Sequence, residues 1–591
     1  MEVCNIMKKT EIGGFTFISD SEYDIDIKMI NQSKQKLQLR ISVKIGHKCS
    51  PETTVIKWTY PCKEIYAQWN PALWSVHTLN PNWMPVTNPS RAAFGSPVQT
   101  HYSIDGINKI TVSLNDPLTP MEITSGIIEE TAEIAYKLKL FTERISPINE
   151  YSVDMVIDTR AIPYYEILSE ISNEWGISQK ENTASDFTKE PMYSTWYSFH
   201  QELVYDGIIN QCKLAKQMGM ETIIIDDGWQ TNDSERGYAF CGDWNPDRIQ
   251  DMKKFISDVH TIGMKCIIWY SVPFVGIHSS AWNKFEGKFL DKFDEKHPWR
   301  VVDPRYPDVR EYLISIYENA VRDWDLDGLK LDFINNIQLT EYSNQYDELM
   351  DYESLEDAIC SLLTEVKKRL TRIKPGIMLE FRQPYTGPLM TKCGNMLRVA
   401  DCPMDLQKNR AGIIDLRLLS GSVAVHSDML MWNYEDSPEM VALQLINIIY
   451  GVPQISMRID KLSEEHKKVL SFYLDFWKKQ KKYLLEGSLI AKNPEVGYSY
   501  VSSEISDTII AAAYIKNTMS INKEYRSITF MNASWDDALY IINNGEEFDA
   551  VCTVYDCTGQ VVSNGNINMH KGANTFAVPN SGMVCINKKN S

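Results

Sequence analysis

The stretch Leu-Asp-Gly-Leu-Lys-Leu-Asp-Phe-Ile-Asn-Asn, from Leu326 to Asn336, sets two charges into an apolar strand pattern. A strand alternates its side chains, so Lys330 and Asp332 share one face while Leu329, Leu331 and Phe333 take the other. Charges held at the end of a buried strand must be paired, hydrogen-bonded or bound to a ligand, because a lone one is costly to bury. Either a structural ion pair or a functional site meets that requirement. Similar groups end other apolar runs: Trp196 and Tyr197; Asp226, Asp227 and Trp229; Trp269; Glu380 and Arg382; Arg398 and Asp401; His426, Asp428 and Trp432. Tryptophan faces suit the C–H faces of sugar rings, and carboxylates accept paired hydrogen bonds from vicinal hydroxyls. Two carboxylates on opposite walls are what glycoside hydrolysis needs: one attacks or activates water, the other protonates the leaving oxygen.

Taken singly, each feature has a plainer reading. Asp226-Asp227 before Gly228 suits a turn or a helix cap. Isolated tryptophans are more often core than platform, His426 reads as a satisfied buried histidine, and Asp401 before Cys402-Pro403 as a loop turn. Recurrence at successive strand ends favours a site. Mg²⁺ or Ca²⁺ would suit the carboxylates, but Lys330 and two arginines compete with a cation, so neither metal nor cofactor is expected.

The elements that position these groups follow βα grammar. Apolar strand patterns run Tyr193 to Phe199, Thr222 to Asp226, Lys265 to Tyr270, Gly328 to Phe333, Gly376 to Arg382, Met396 to Asp401, Val423 to Met429 and Val452 to Ser456. Amphipathic helical patterns separate most of them: Asp206 to Met218, Asp247 to Ile262, Asp308 to Trp324, Leu355 to Thr371, Gln407 to Leu419 and Pro438 to Tyr450, with Ser463 to Lys479 after the last. Between strands five and six, Gln383 to Asn395 holds two prolines and two glycines and reads as a loop. Eight such units predict a (β/α)8 TIM barrel, whose strand C-terminal ends converge on one pocket. An open doubly wound sheet is the alternative, but no G-x-G-x-x-G or Walker A segment follows any strand.

At 591 residues more than one domain is expected. Short alternating runs from Gly14 to Val156 predict an N-terminal β-sandwich, followed by a connecting helix from Ile162 to Trp175 and a boundary near residue 180. Alternation returns beyond Lys482. The expected domains are therefore 1–180, a catalytic barrel over 181–482, and a small antiparallel C-terminal β-sandwich over 483–591. A net charge of −18 without a dense Lys/Arg cluster argues against nucleic acid. No apolar run reaches 18 residues and the N-terminus lacks an apolar h-region, so no membrane association and a cytoplasmic location are expected. The 12 cysteines show no CxxC pairing, which fits reduced thiols.

The barrel resembles the retaining α-galactosidases of glycoside hydrolase family 36, the melibiase-like members of the clan that also holds families 27 and 31. The resemblance rests on Tyr193-Ser194-Thr195-Trp196-Tyr197, on Ile225-Asp226-Asp227-Gly228-Trp229, on Asp243-Trp244 with Gly263-Met264-Lys265 and Trp269, on Asp303-Pro304-Arg305, and on Asp327 to Phe333. It implies that Asp332 is the nucleophile, Asp401 the acid/base and Lys330 a sugar contact. It further implies that Asp226 and Asp227 hold the O4 and O6 hydroxyls, that Trp196 forms a wall and that Arg398 lies near the acid/base. Arg382 and Trp269, at strand ends, complete the expected substrate-binding set. Two departures stand out. Glu380-Phe381-Arg382-Gln383-Pro384-Tyr385 replaces the family's Cys-Ser-Gly-Gly-Gly segment, and the short Arg398-to-Asp401 interval leaves Asp405 as a second candidate acid/base.

The expected activity is removal of terminal α-galactosyl groups by double displacement. Retention requires the two carboxyls about 5 to 6 Å apart, inversion about 6.5 to 9.5 Å. Alternatives are an α-N-acetylgalactosaminidase or another α-glycosidase, a transglycosylase like the raffinose synthases, and a catalytically silent carbohydrate-binding barrel. Members of the family are often oligomeric, so a homo-oligomer is compatible with the resemblance.

Overall fold

Two six-stranded antiparallel sheets begin the chain. One runs in the order Ile6–Ile12, Phe15–Ser21, Thr54–Pro61, Glu133–Leu140, Met121–Ile128, Val86–Ser90. The other runs Asp24–Gln32, Lys36–Cys49, Ile148–Asp158, Asn108–Leu114, Val98–Tyr102, Ala67–Trp69. The computed structural model describes residues 6–33, 35–72, 76–177 and 185–589. Alternation explains the sandwich: Leu37, Leu39, Ile41, Val43 and Ile45 of one strand, and Ile134, Tyr136, Leu138 and Leu140 of another, bury themselves in one shared core. Each fully buried aliphatic side chain contributes about 1.5–3 kcal/mol. The helix Tyr164–Glu174 then leads toward the barrel. The expected boundary near residue 180 lies outside the described residues.

The central sheet has eight parallel strands: β1 (Met192–Ser194), β2 (Thr222–Ile225), β3 (Lys265–Ser271), β4 (Gly328–Asp332), β5 (Met378–Arg382), β6 (Met396–Arg398), β7 (Ala424–His426) and β8 (Gln454–Ile455). Their order is β7-β6-β5-β4-β3-β2-β1-β8. A parallel bridge between His426 and Val452 closes the ring, with Val452 N donating to Val425 O at 2.8 Å and Ser427 N to Val452 O at 3.0 Å. The expected TIM barrel is therefore present. Around it lie α1 (Tyr205–Gln217), α2 (Met252–Ile262), α3 (Pro307–Trp324), α4 (Leu355–Ile373), α5 (Pro388–Cys393), α6 (Leu406–Leu419), α7 (Pro438–Asn447) and α8 (Glu464–Glu486). Asp251, Ser354, Asp405, Ser437 and Ser463 cap α2, α4, α6, α7 and α8, each accepting a first-turn backbone N–H.

Two local expectations change. Strand one stops at Ser194, because Thr195 turns into helical backbone and starts a one-turn helix, Trp196–Phe199. The stretch between β5 and β6 is not all loop: Pro388, whose fixed φ suits a first helical position, opens α5.

Beyond α8, a seven-stranded sheet faces a three-stranded one over a core of its own. The expectation of wholly antiparallel pairing is corrected. Thr508–Ala513 runs parallel to Ser527–Asn532, because the chain visits the facing sheet as Thr518–Ile521 between them, and that strand pairs in parallel with Ala538–Asn543.

The N-terminal sheets are fastened to the barrel. Ala92 N donates to Glu356 Oε2 at 2.7 Å, Arg144 pairs with Glu353 at 2.6 Å, and Ser146 Oγ donates to Asp357 Oδ2 at 2.8 Å, all at the start of α4 or just before it. Gly95 lies so close to the β5–α5 loop that a Cβ on Gly387 would sit 2.3 Å from the Gly95 carbonyl oxygen. At a three-way junction, Trp69 Nε1 and Tyr498 OH both donate to Asp415 Oδ1 of α6, the Trp69 bond measuring 2.9 Å. Among the described residues no helix is long and apolar enough to cross a membrane.

Candidate active site

All five residues of β4 are buried, and the alternation sends Lys330 and Asp332 to the barrel interior. Lys330 Nζ donates to Asp226 Oδ2 at 2.6 Å. Asp332 is gripped unevenly. Its Oδ1 accepts from Arg382 Nε at 2.7 Å, Tyr385 OH at 3.0 Å and Phe333 N at 2.7 Å. Among the described residues its Oδ2 accepts only from Trp269 Nε1, at 3.1 Å. The left-handed backbone of Phe333, φ 64°, turns the chain so that this N–H meets the preceding carboxylate. Burial alone would raise the Asp332 carboxyl, but Arg382, Lys330 and Arg398 outweigh it and hold the group well below the usual carboxylate range. Asp332 is thus ionised at neutral pH.

At the end of β2, Asp226 N donates to Thr195 Oγ1 at 2.9 Å. Asp227 receives Gln230 Nε2 on Oδ1 and Gln201 Nε2 on Oδ2, both at 2.7 Å. Burial pushes Asp227 up to about 6; the two amide bonds oppose this and the neighbouring Asp226 adds to it. The next residue must be glycine. Gly228 has φ +111°, and a Cβ there would lie 2.6 Å from Gln201 Cα.

The ends of β6 and β7 form a second network. Arg398 is 1% exposed; its Nη1 donates to Asp428 Oδ1 at 2.6 Å and its Nη2 to Asp401 Oδ1 at 3.0 Å, while its Nε lies 3.6 Å from Glu380 Oε1. Asp428 Oδ2 accepts from Cys402 N at 2.7 Å and Tyr197 OH at 3.0 Å. Half of the Asp401 side chain is open to solvent, whereas Asp428 and Glu380 are closed off. Burial raises Asp401, Arg398 and Lys330 overcome it, Asp332 repels it, and the net displacement is downward. Asp428 ends up raised, through burial, with Arg398 opposing.

Trp269 and Arg382 therefore meet at the Asp332 carboxylate, Lys330 pairs with Asp226, Asp227 follows Asp226, and Arg398 and Asp401 meet in the adjoining network. Trp269 is 2% exposed and acts as an N–H donor to Asp332, not as an open platform; Tyr238 stacks against it, ring centroids 6.2 Å apart. Trp196 is half-buried off the strand, its ring 4.9 Å from that of His200. Trp229 and Trp432 are core, as is His426, whose ring contacts Thr188 O at 2.8 Å. Asp405 is committed to capping α6 through Lys408 N at 2.9 Å. Tyr385, Gln201 and Gln230 were missed, and Tyr197 and Asp428 were not set among the expected site residues; all lie in loops or just beyond a strand. Tyr197 and Asp428 had a signal as groups at strand ends, and Tyr385 as the end of the altered Glu380 to Tyr385 segment. A separate cleft of about 880 Å³ opens at the opposite end of the barrel, lined by Arg417, Ser420, Ser422 and Gly487, and none of the site residues borders it.

Residues 177–384 match the family Melibiase, in agreement with the resemblance drawn from the motifs. No curated protein matches the chain in sequence. The fold is similar to the galactosidase domain of alpha-galactosidase-sucrose kinase, AgaSK, at 12% identity and a TM-score of 0.65, covering 100% of this chain and 84% of that one. It is also similar to a variant of the GH36 alpha-galactosidase AgaA from Geobacillus stearothermophilus in complex with 1-deoxygalactonojirimycin, at 12% identity and 0.65, covering 98% and 82%. A third similar structure, TtGalA, the alpha-galactosidase from Thermus thermophilus in complex with p-nitrophenyl alpha-D-galactopyranoside, shares 16% identity at 0.55, covering 83% of this chain and 96% of that one.

Proposed function

From the premise of a Melibiase-type barrel, we propose that this protein is a retaining α-glycosidase that removes terminal α-galactosyl groups, with Asp332 as nucleophile and Asp401 as acid/base. The observation that carries the reading is the uneven grip on Asp332. Three donors fix Oδ1, one holds Oδ2, and the cations around the carboxylate keep it charged. Oδ2 is the atom left to attack the anomeric carbon, while the Asp401 proton passes to the departing glycosidic oxygen. The glycosyl ester on Asp332 is then opened by a water that gives its proton to Asp401.

Charge alternates in the direction this cycle needs. While Asp332 is anionic it repels charge on Asp401 and favours its protonated form. Once Asp332 is esterified that repulsion vanishes while Arg398, Lys330 and Arg382 remain, so Asp401 ionises more readily and serves as base. Asp226 and Asp227 would accept sugar hydroxyls, and Trp196 would flank the ring. Similar structures hold raffinose and stachyose, which makes galactosyl oligosaccharides the first substrates to try.

The test is hydrolysis of aryl α-galactoside, α-N-acetylgalactosaminide, α-glucoside and α-xyloside by wild type and Asp332→Asn. Turnover of the galactoside, lost in the variant, is the expected result. Turnover confined to another sugar would overturn the galactosyl assignment, and turnover surviving in Asp332→Asn would overturn the nucleophile.

A further inference from the structure

Asp428 has no part in the two displacement steps, yet it is fully buried and its carboxylate accepts three hydrogen bonds. Two of them concern Asp401. Arg398, the cation that touches Asp401, makes its shorter bond to Asp428, 2.6 against 3.0 Å. Cys402 N, the amide directly after Asp401 in the chain, donates to the other Asp428 oxygen at 2.7 Å. One carboxylate thus secures both the guanidinium opposite Asp401 and the backbone that carries Asp401.

We infer that Asp428 is the positioning residue for the acid/base: by fixing both Arg398 and the Cys402 amide and taking the larger share of the guanidinium, it limits how far that cation lowers Asp401, the group that must carry the proton to the leaving oxygen. This rests on the reading of Asp401 as acid/base. The groups acting on Asp401 are Arg398, Lys330, Arg382, Asp332 and Asp428; those acting on Asp428 are Arg398, Asp401 and Tyr197, with Glu380 on the far side of Arg398. The shorter charge-assisted bond is the stronger one, so the guanidinium is compensated mainly from inside the protein. Without the Asp428 charge, Arg398 would turn its full attraction on the half-open Asp401 and lower it further. A neighbouring cation lowers a carboxyl by about 1–3 pH units, so losing the counter-charge on Arg398 acts directly on the titration of the acid/base.

The experiment compares Asp428→Asn, Asp401→Ala and wild type on two α-galactosides, one with a dinitrophenyl leaving group that departs without a proton and one with an alkyl leaving group that needs it. Asp428→Asn should lose tenfold or more in kcat/KM on the alkyl glycoside and stay within about threefold on the dinitrophenyl one, with the basic limb of the alkyl profile moved down by about one pH unit or more. Equal losses on both substrates with an unmoved limb would mean a merely structural role and overturn the inference. Arg398→Lys gives a second reading if Asp428→Asn does not fold. An ammonium reaches one carboxylate rather than two, so capture by buried Asp428 should move the basic limb upward, and a downward move overturns the inference. If Asp401→Ala lacks the leaving-group split, the acid/base reading fails and this inference with it. If Asp401→Ala shows the split and Asp428→Asn does not, only the role of Asp428 falls.

Discussion

Lys330 Nζ meets the carboxylate of Asp226, 2.6 Å away just past the end of β2, rather than that of Asp332 two residues along its own strand. The two β4 charges share a face but answer to different partners. Lys330 closes a buried pair with Asp226, and Asp332 is left to Arg382, Tyr385, Trp269 and its neighbouring backbone.

The Lys330–Asp226 pair gives a stability prediction. Lys330→Met strands a buried carboxylate and should destabilise the fold by about 3–5 kcal/mol, read as a fall in Tm. Adding Asp226→Asn removes the stranded charge and should restore most of that loss while activity stays absent. A double variant no more stable than Lys330→Met would show that the pair is not the source of the cost.

Tyr385 tests the grip on Oδ1. With Asp332 as the proposed nucleophile, the hydroxyl that donates to Oδ1 would stabilise its carboxylate as the leaving group of the second step. Tyr385→Phe should therefore slow deglycosylation by about 10-fold to 100-fold, with a burst of released aglycone in rapid-mixing experiments. A variant that loses rate without a burst would place the loss in the first step.

Asp227 sets an acid limb. Its carboxylate is lifted to about 6 by burial, and in the proposed role it would bind sugar hydroxyls best when ionised. kcat/KM should fall as pH drops through about 6, mainly through KM, while Asp332 remains charged throughout. Asp227→Asn should weaken binding and abolish that limb. A limb unchanged in the variant would assign it to another group.

Asp415 links stability to pH with the opposite sign to a salt-bridged carboxylate. Burial raises it to about 7 at the junction with Trp69 and Tyr498, which oppose the rise, whereas an unfolded-chain aspartate titrates near about 3.9. Between those values the folded protein holds a proton that the unfolded chain has released, so this group's stabilisation is complete below about pH 4 and is lost as pH rises toward 7. The effect is on the order of 4 kcal/mol. Asp415→Asn should flatten the decline in Tm between pH 5 and pH 7.5, and a parallel decline in both proteins would refute the assignment.

Much of this was readable from residue order. Strands buried by helices on the outside and by packed side chains inside the ring must be apolar along most of their length and polar at their ends, and that contrast exposed the eight barrel strands and the charges at their tips. Alternation gave the face of Lys330 but not its partner, because which residues meet across the interior depends on the stagger of the closed ring. Tryptophans were harder. Composition does not separate Trp229, closed into the core by its bond to Trp269 O, from Trp196, half-open on a one-turn helix. Tyr385, Gln201 and Gln230 sit in loops without periodicity, where only the folded path brings them to Asp332 and Asp227.

The near-contact of Gly95 with Gly387 joins two histories. The loop that brings Tyr385 to Asp332 rests against a loop from the N-terminal sheets, with no room at Gly387 even for a methyl group. A chimera that kept this barrel but borrowed another protein's N-terminal half would lose the surface on which that loop lies, and with it the setting of Asp332 Oδ1. The two halves are bound to be inherited, and redesigned, together.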